Sequence, residues 1–156
     1  MINNEDKIVR KAVRSFLIKD NNILVIKYNE GSNKDYLDIP GGKIEDNETS
    51  FETSIREFKE ETGVIVKEQK YRGKLIINYP DRIFEMEIFE VLKYEGESSN
   101  FLENDSMWIN IDEILNKEKI LPSILIIKDI MEHFKELNIN IIVDKNHKII
   151  KIEKGE

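Results

Sequence analysis

Three glutamates, Glu57, Glu60 and Glu61, stand at positions i, i+3 and i+4 of one segment. On a helix that spacing puts them on one face, with carboxylates a few ångströms apart. Like charges so close repel one another, and Arg56, four residues before Glu60, lies inside the cluster as a built-in partner. Upstream, Pro40-Gly41-Gly42 is a breaker whose exposed backbone can approach a ligand and add a carbonyl oxygen. Hard oxygen donors of this kind suit magnesium or manganese rather than zinc. Taken alone, the cluster reads first as a solvated acidic face relieved by water and nearby lysines; Arg56 and the glycine loop are what turn the reading toward a site.

The elements around these residues follow from local pattern. Residues 49–62 form a helix: Thr49 with Glu52 makes a capping box, Phe51, Ile55 and Phe58 make an apolar stripe, and Gly63 supplies the stop. Before it, residues 12–18 and 23–28 are strands split by Asp20-Asn21-Asn22, residues 29–34 are a polar loop, and 36–39 a short strand. After it, residues 64–78 and 83–92 are strands joined by Tyr79-Pro80-Asp81-Arg82, with Phe84, Met86 and Ile88 on one face of the second. A polar loop spans 95–106, and 107–109 is a short strand. Residues 122–137 read as an amphipathic helix with Pro122 in its first turn and Ile127, Ile130, Phe134 and Leu137 on one face. Residues 139–143 and 149–152 make a final hairpin. Strands on both sides of a central helix imply an α/β chain with a mixed sheet and helices on its faces.

The 156 residues lack a repeat or a Pro/Gly/Ser-rich linker, so one domain over 1–156 is expected. No apolar run approaches the roughly 20 residues that cross a bilayer, and the first residues lack a secretion-signal pattern. No cysteine is present, which removes thiolate chemistry and disulfides and fits a cytoplasmic location. A net charge of −7 argues against a grip on extended nucleic acid. A small phosphorylated nucleotide remains compatible if a cation stands between acidic protein and anionic ligand. The two histidines, His133 and His147, read as surface residues, leaving little material for serine–histidine–acid catalysis.

Gly42, Glu48, Arg56-Glu57-Phe58-Lys59-Glu60-Glu61-Thr62 and Gly63-Val64, in this spacing, resemble the Nudix box in full. Weaker resemblance runs over about residues 12–137, through Pro40-Gly41-Gly42 and through Trp108 with Asp112-Glu113-Ile114-Leu115. Asn47 stands where the family commonly has glycine, Leu37 where it often has tryptophan, and Thr53 and Ser54 where it often has alanines. Asparagine tolerates positive φ, so the turn at Asn47 is expected to survive.

The resemblance implies a Nudix-type α/β/α sandwich with a mixed sheet, its core over roughly 8–137 and a C-terminal hairpin in the extension 138–156. It implies hydrolysis of a nucleoside diphosphate linked to a group X: a nucleoside triphosphate, nucleotide sugar, ADP-ribose or dinucleoside polyphosphate. By the same resemblance Glu57, Glu60 and Glu61 hold Mg2+ (or Mn2+) with help from the Gly41 carbonyl, and Arg56 orients the carboxylates. Glu48 supports the loop or a second metal. The general base is a box glutamate such as Glu57 or a carboxylate of the later loop; Glu103 is the first candidate there, with Glu97 and Asp105 its competitors. Gly42, Glu48, Tyr36 and Trp108 are expected at the substrate, and Tyr28 and Phe101 are further aromatics able to stack on a base. A tyrosine or a proline after the box is the family's cue to substrate, but Tyr79 and Pro80 stand side by side and leave it undecided.

Two alternatives remain: a non-catalytic nucleotide-sensing module, expected to have lost box glutamates, and an RNA 5′-pyrophosphohydrolase using Arg72, Lys74 and Arg82. The isomerase chemistry seen on similar folds relies on a cysteine that is missing here. A bare hairpin is marginal in water, so residues 139–153 must pack on their own sheet or pair with a second chain. A homodimer is the expectation.

Overall fold

The computed structural model describes residues 7–132 and 136–155. In chain order the elements are β1 (Ile8–Phe16), β2 (Ile18–Lys19), β3 (Asn22–Tyr28), β4 (Leu37–Asp38), β5 (Gly41–Lys43), α1 (Ser50–Thr62), β6 (Ile65–Asn78), β7 (Arg82–Glu95) and β8 (Asn104–Asn110). Three short helices follow, α2 (Ile111–Ile114), α3 (Pro122–Leu125) and α4 (Ile127–Met131), and then β9 (Leu137–Val143) and β10 (Ile149–Gly155). One mixed sheet has the order β10-β9-β6-β7-β1-β5, with β1 parallel to β7 and β6 parallel to β9. A second sheet is built on β3, to which β2, β4 and β8 are all antiparallel. Among the described residues, no helix is long and apolar enough to cross a membrane.

Alternation along the strands sorts the side chains into two cores. Ala12, Leu75, Ile77, Met86, Ile88, Ile139 and Ile141 belong to one cluster with Ile23 and Val25 of β3 and with Ile124, Ile127 and Ile130 of the C-terminal helices. A second cluster of Leu17, Leu24, Val64, Val66 and Val91 closes on Phe58 of α1. The mixed α/β sandwich expected from the sequence is present.

Helix α1 begins where the capping box places it. Thr49 accepts from Glu52 N–H and the Glu52 side chain accepts from Thr49 N–H, while Gly63 at φ 81° ends the helix. Of the expected stripe, Phe58 and Ile55 pack in the second core and Phe51 does not. Phe51 is half exposed and touches only the edge of Phe89, whereas Ser54, Phe58 and Thr62, spaced by four, face the sheet. Small residues at Thr53 and Ser54 let the helix approach closely; a count of hydrophobic positions alone selects Phe51 instead.

The C-terminal region departs from the expected single helix over 122–137. Two short helices meet at Ile126 (φ −90°, ψ −6°), and Leu137 opens a strand instead of closing a helix. Neither α3 nor α4 has a side-chain N-cap, and branched isoleucines dominate the run. Leu137 fits both periods, but Leu137, Ile139, Ile141 and Val143 alternate strictly between the exposed Asn138, Asn140 and Ile142. Phe134 and His133 lie outside the described residues.

The final hairpin packs on its own sheet. Strand β9 runs parallel to β6 from the pair Gly73–Leu137 onward, and β10 forms the outer edge. This docking needs glycine at 73: its φ is +119°, and a Cβ there would lie 1.8 Å from the Leu137 carbonyl oxygen. Gly73→Ala is therefore expected to destabilise the fold by about 2 kcal/mol or more. Thermal unfolding would show a loss of roughly 4–8 °C for a chain of this size. An unchanged melting temperature would mean that β9 is not held against Gly73.

Candidate active site

The two glycines lie in a strand rather than in an open breaker. Val13 pairs with Gly42 and Arg14 with Gly41 in the antiparallel β1–β5 ladder. A Cβ on Gly41 would lie 2.0 Å from the Val13 carbonyl oxygen, and one on Gly42 would lie 2.4 Å from the Glu57 carboxyl carbon. The β5 backbone is thus clamped between β1 and α1, which only a residue without a side chain permits. The following turn holds Asn47 at φ 66°, the conformation that asparagine was expected to accept.

Arg56 is the hub of the carboxylates. Its Nε and Nη2 donate to the two oxygens of Glu48 at 2.7 and 2.9 Å, and its Nη1 donates to Glu57 at 3.0 Å and to Glu60 at 3.2 Å. Thr53 Oγ1 adds a 2.7 Å bond to Glu48. The Arg56 and Thr53 hydrogen bonds lower the Glu48 pKa to about 2. Both Glu48 oxygens are therefore committed to holding Arg56 and the loop. Glu60 is exposed; Glu57 is partly buried, and burial raises its pKa against the opposing pull of Arg56.

Glu61 faces inward. It accepts the Gly41 N–H at 2.6 Å, and burial pushes its pKa up to about 8, with Arg14 and that N–H acting in the opposite direction. Among the described residues, no three acidic or histidine side chains converge at ligand distance. Glu61 turns to Gly41, while Glu57 and Glu60 share Arg56. The donor set nonetheless fits a hard cation. It consists of oxygens alone, packed against a glycine cradle that any Cβ would fill. Glu57, Glu60 and Glu61 are the residues that would hold such an ion.

Beneath Gly41 lies a polar knot that the sequence did not announce. Asp38 accepts from Ile39 N–H at 2.8 Å, from Tyr28 O–H at 3.2 Å and from Ser123 O–H, and it pairs with Arg14 at 3.4 Å. Burial works against the Arg14 charge, but Asp38, Tyr28 and Glu61 outweigh it and keep the guanidinium protonated. Arg14 Nη1 also donates to the Ile39 carbonyl at 3.4 Å, tying β1 to the chain just before Pro40. Tyr28, a stacking candidate on sequence grounds, is spent in this knot. A cation in an apolar strand and a carboxylate two residues before Pro40 were the only signals available.

The remaining expected residues separate. Glu103 is exposed at the start of β8, next to Asn104, whose side chain donates to the Glu61 carbonyl at 2.8 Å. Asp105 instead binds the Asn29 side chain at 3.1 Å. Trp108 lines a depression with Lys19, Tyr94 and Glu97 that shares no residue with the cleft at Gly42. Tyr36 packs edge-on against His147, 5.2 Å between ring centroids. His147 is thus no solvated surface residue. The cleft itself, of about 490 Å³, runs along Ile8–Ala12, Arg14, Gly42–Ile44 and Phe84.

Comparison with known proteins agrees with this architecture. The model of the NUDIX domain family matches residues 9–128. An ADP-ribose pyrophosphatase of Methanocaldococcus jannaschii is 42% identical over 71 residues, which are 46% of this chain and 41% of that protein. An 8-oxo-dGTP diphosphatase of Proteus vulgaris is 34% identical over 62 residues, 40% of this chain and 55% of the relative. The chain thus aligns with about half the length of these relatives. The crystal structure of a MutT protein from Bacillus halodurans superposes with a TM-score of 0.78 at 20% identity, covering 93% of this chain and 97% of that one.

The raised Glu61 pKa has a consequence for stability. The folded chain keeps a proton that the unfolded chain releases near the ordinary glutamate value of 4.5, so this contribution is full below that pH and is lost as pH rises through about 8. In excess chelator, the melting temperature of the wild type, measured relative to Glu61→Gln, is expected to fall from about pH 5 to about pH 9. Magnesium should lift the alkaline end for the wild type alone. Parallel curves for the two proteins in both conditions would contradict the burial of Glu61.

Proposed function

We propose that the chain, which belongs to the Nudix family, hydrolyses a diphosphate bond in a nucleoside diphosphate-X substrate with the aid of Mg2+ or Mn2+. One observation carries this reading: the carboxylate face of α1 meets the glycine strand β5 at Gly42, and Gly42 is also a wall of the 490 Å³ cleft. The relatives described above act on ADP-ribose and on 8-oxo-dGTP by name, and both compounds carry a diphosphate on a nucleoside. In the cleft, Ile8, Val9 and Phe84 offer apolar contact to a nucleoside, while Arg10 and Lys43 suit its phosphates.

A divalent cation, when bound, neutralises charge on non-bridging oxygens and lowers the pKa of water. The protein's own part is positional. Glu48 and Thr53 fix Arg56, Arg56 spaces Glu57 from Glu60, and Gly41 N–H aims Glu61. A carboxylate that holds a cation is a poor proton acceptor, so the general base belongs to a residue free of that duty. Glu103, exposed beside the Asn104–Glu61 link, is our choice, and Glu57 is the next. The RNA reading loses its support, because Arg72 is buried against Glu90 and Lys74 pairs with Glu85.

The test is a screen of nucleoside triphosphates, nucleotide sugars, ADP-ribose and dinucleoside polyphosphates, with Mg2+, with Mn2+ and with chelator. Turnover is expected only with metal. Glu61→Gln should lower kcat by roughly 10²–10⁴ and weaken the metal requirement curve, whereas Glu103→Gln should lower kcat by a similar factor and leave metal affinity intact. Full activity in chelator would end the metal-dependent reading. Binding without turnover would make the protein a sensor, and a normal kcat in Glu103→Gln would return the base to Glu57.

A further inference from the structure

The C-terminal hairpin lies beyond the residues that match the family, yet its tip reaches Tyr79, a wall of a small cavity beside the cleft. Asp144 shapes the β9–β10 turn by accepting the N–H groups of Asn146 at 2.8 Å and Lys148 at 3.0 Å, and His147 sits in it at φ 67°. From there the His147 ring projects to two other parts of the chain. It meets Tyr36 and Tyr79 edge-on, and its Nδ1 shares a 2.8 Å hydrogen bond with the Tyr79 hydroxyl. Burial and the nearby Arg82 lower the His147 pKa, and burial pushes that of Tyr79 up to about 12, so the bond joins two neutral groups.

Tyr79 in turn supports the residues at the cleft. The Arg82 guanidinium lies 4.3 Å above the Tyr79 ring, and Phe84 packs edge-on against it at 5.8 Å. Tyr79, Arg82 and Phe84 enclose, with Arg14 and Asp38, a cavity of about 50 Å³. Phe84 and Arg14 are walls of the larger cleft as well. The ring-and-guanidinium stack therefore adjoins the cleft through these two shared walls. A buried phenol hydroxyl needs a partner, and among the described residues His147 of the hairpin supplies it.

We infer that His147 is a positioning residue for substrate recognition: by holding Tyr79, it fixes Arg82 and Phe84 in the shape that receives the part of the substrate remote from the diphosphate. The chemistry of that end, a flat aromatic face beside guanidinium donors, suits an unsaturated heterocycle with carbonyl or ring-nitrogen acceptors. The inference rests on the hydrolase reading above and adds the hairpin to its binding site.

The experiment is Michaelis kinetics on the nucleotide that the wild type turns over best, for Tyr79→Phe, His147→Asn and the double variant. Phenylalanine keeps the ring packing, and asparagine tolerates the positive φ of the turn. Each single variant is expected to raise KM by about three- to tenfold, the effect of one lost hydrogen bond, with kcat within about twofold. The double variant should match the singles, since all three lack the same bond. Inhibition by inorganic pyrophosphate, which lacks the heterocycle, should stay unchanged. A KM at the wild-type value in both singles, a loss of melting temperature without a change in KM, a fall in kcat alone, or multiplied effects in the double variant would each overturn the inference. Absence of any wild-type turnover would overturn the hydrolase reading and this one with it.

Discussion

Four carboxylates and one guanidinium set the terms for the rest of the molecule. Glu48, Glu57 and Glu60 all contact Arg56, whose fork divides its donors among them at 2.7–3.2 Å. Without that cation, side chains one turn apart on α1 would repel one another and splay toward solvent. With it, they stay close, and Glu48 is drawn in from outside the helix to hold the Arg56 side chain still. The energetic weight of any single exposed pair is small. Its value here is geometric, because one guanidinium sets the spacing of three acids. Glu61 is the exception, partly buried and turned away from Arg56 toward the Gly41 N–H.

That arrangement depends on backbone reaching where side chains would otherwise stand. Gly41 and Gly42 bring β5 against β1 on one side and Glu57 on the other, and the Arg14–Asp38 knot anchors the same stretch from below. A similar device acts at the far edge of the large sheet, where Gly73 admits Leu137 and so docks the hairpin that carries His147. Close backbone approach thus shapes both the acid cluster at the cleft and the aromatic cluster beside it.

Local signals made much of this legible in advance. The capping box at Thr49, the stop at Gly63 and the spacing of the box residues each have a cause within a few residues, and each appears in the fold where expected. The same holds for the β6–β7 hairpin. The misses share a different origin. Phe51 is exposed because tertiary packing against the sheet preferred the small Ser54 face, and Leu137 is a strand residue because β6 offered it a partner 64 positions upstream at Gly73. The roles of Arg14, Asp38 and His147 arise from contacts between distant segments, which no local pattern encodes. Aromatic residue type was also a poor guide to location: Trp108 and Tyr28 are both off the cleft surface beside Gly42, one in a separate depression and the other bound to Asp38.

In the reading proposed above, the glycine cradle at β5 and the acids of α1 form one cation site. The most direct measurement is a titration of Mn2+ followed by the electron paramagnetic resonance signal of the free ion, for the wild type and for Gly42→Ala. A methyl group at 42 would occupy the space of the Glu57 carboxylate, 2.4 Å from its carbon, and must push it aside. Binding to the wild type should saturate, and affinity should fall by roughly tenfold or more in a variant that remains folded. Equal Mn2+ affinity in the two folded proteins would contradict that reading.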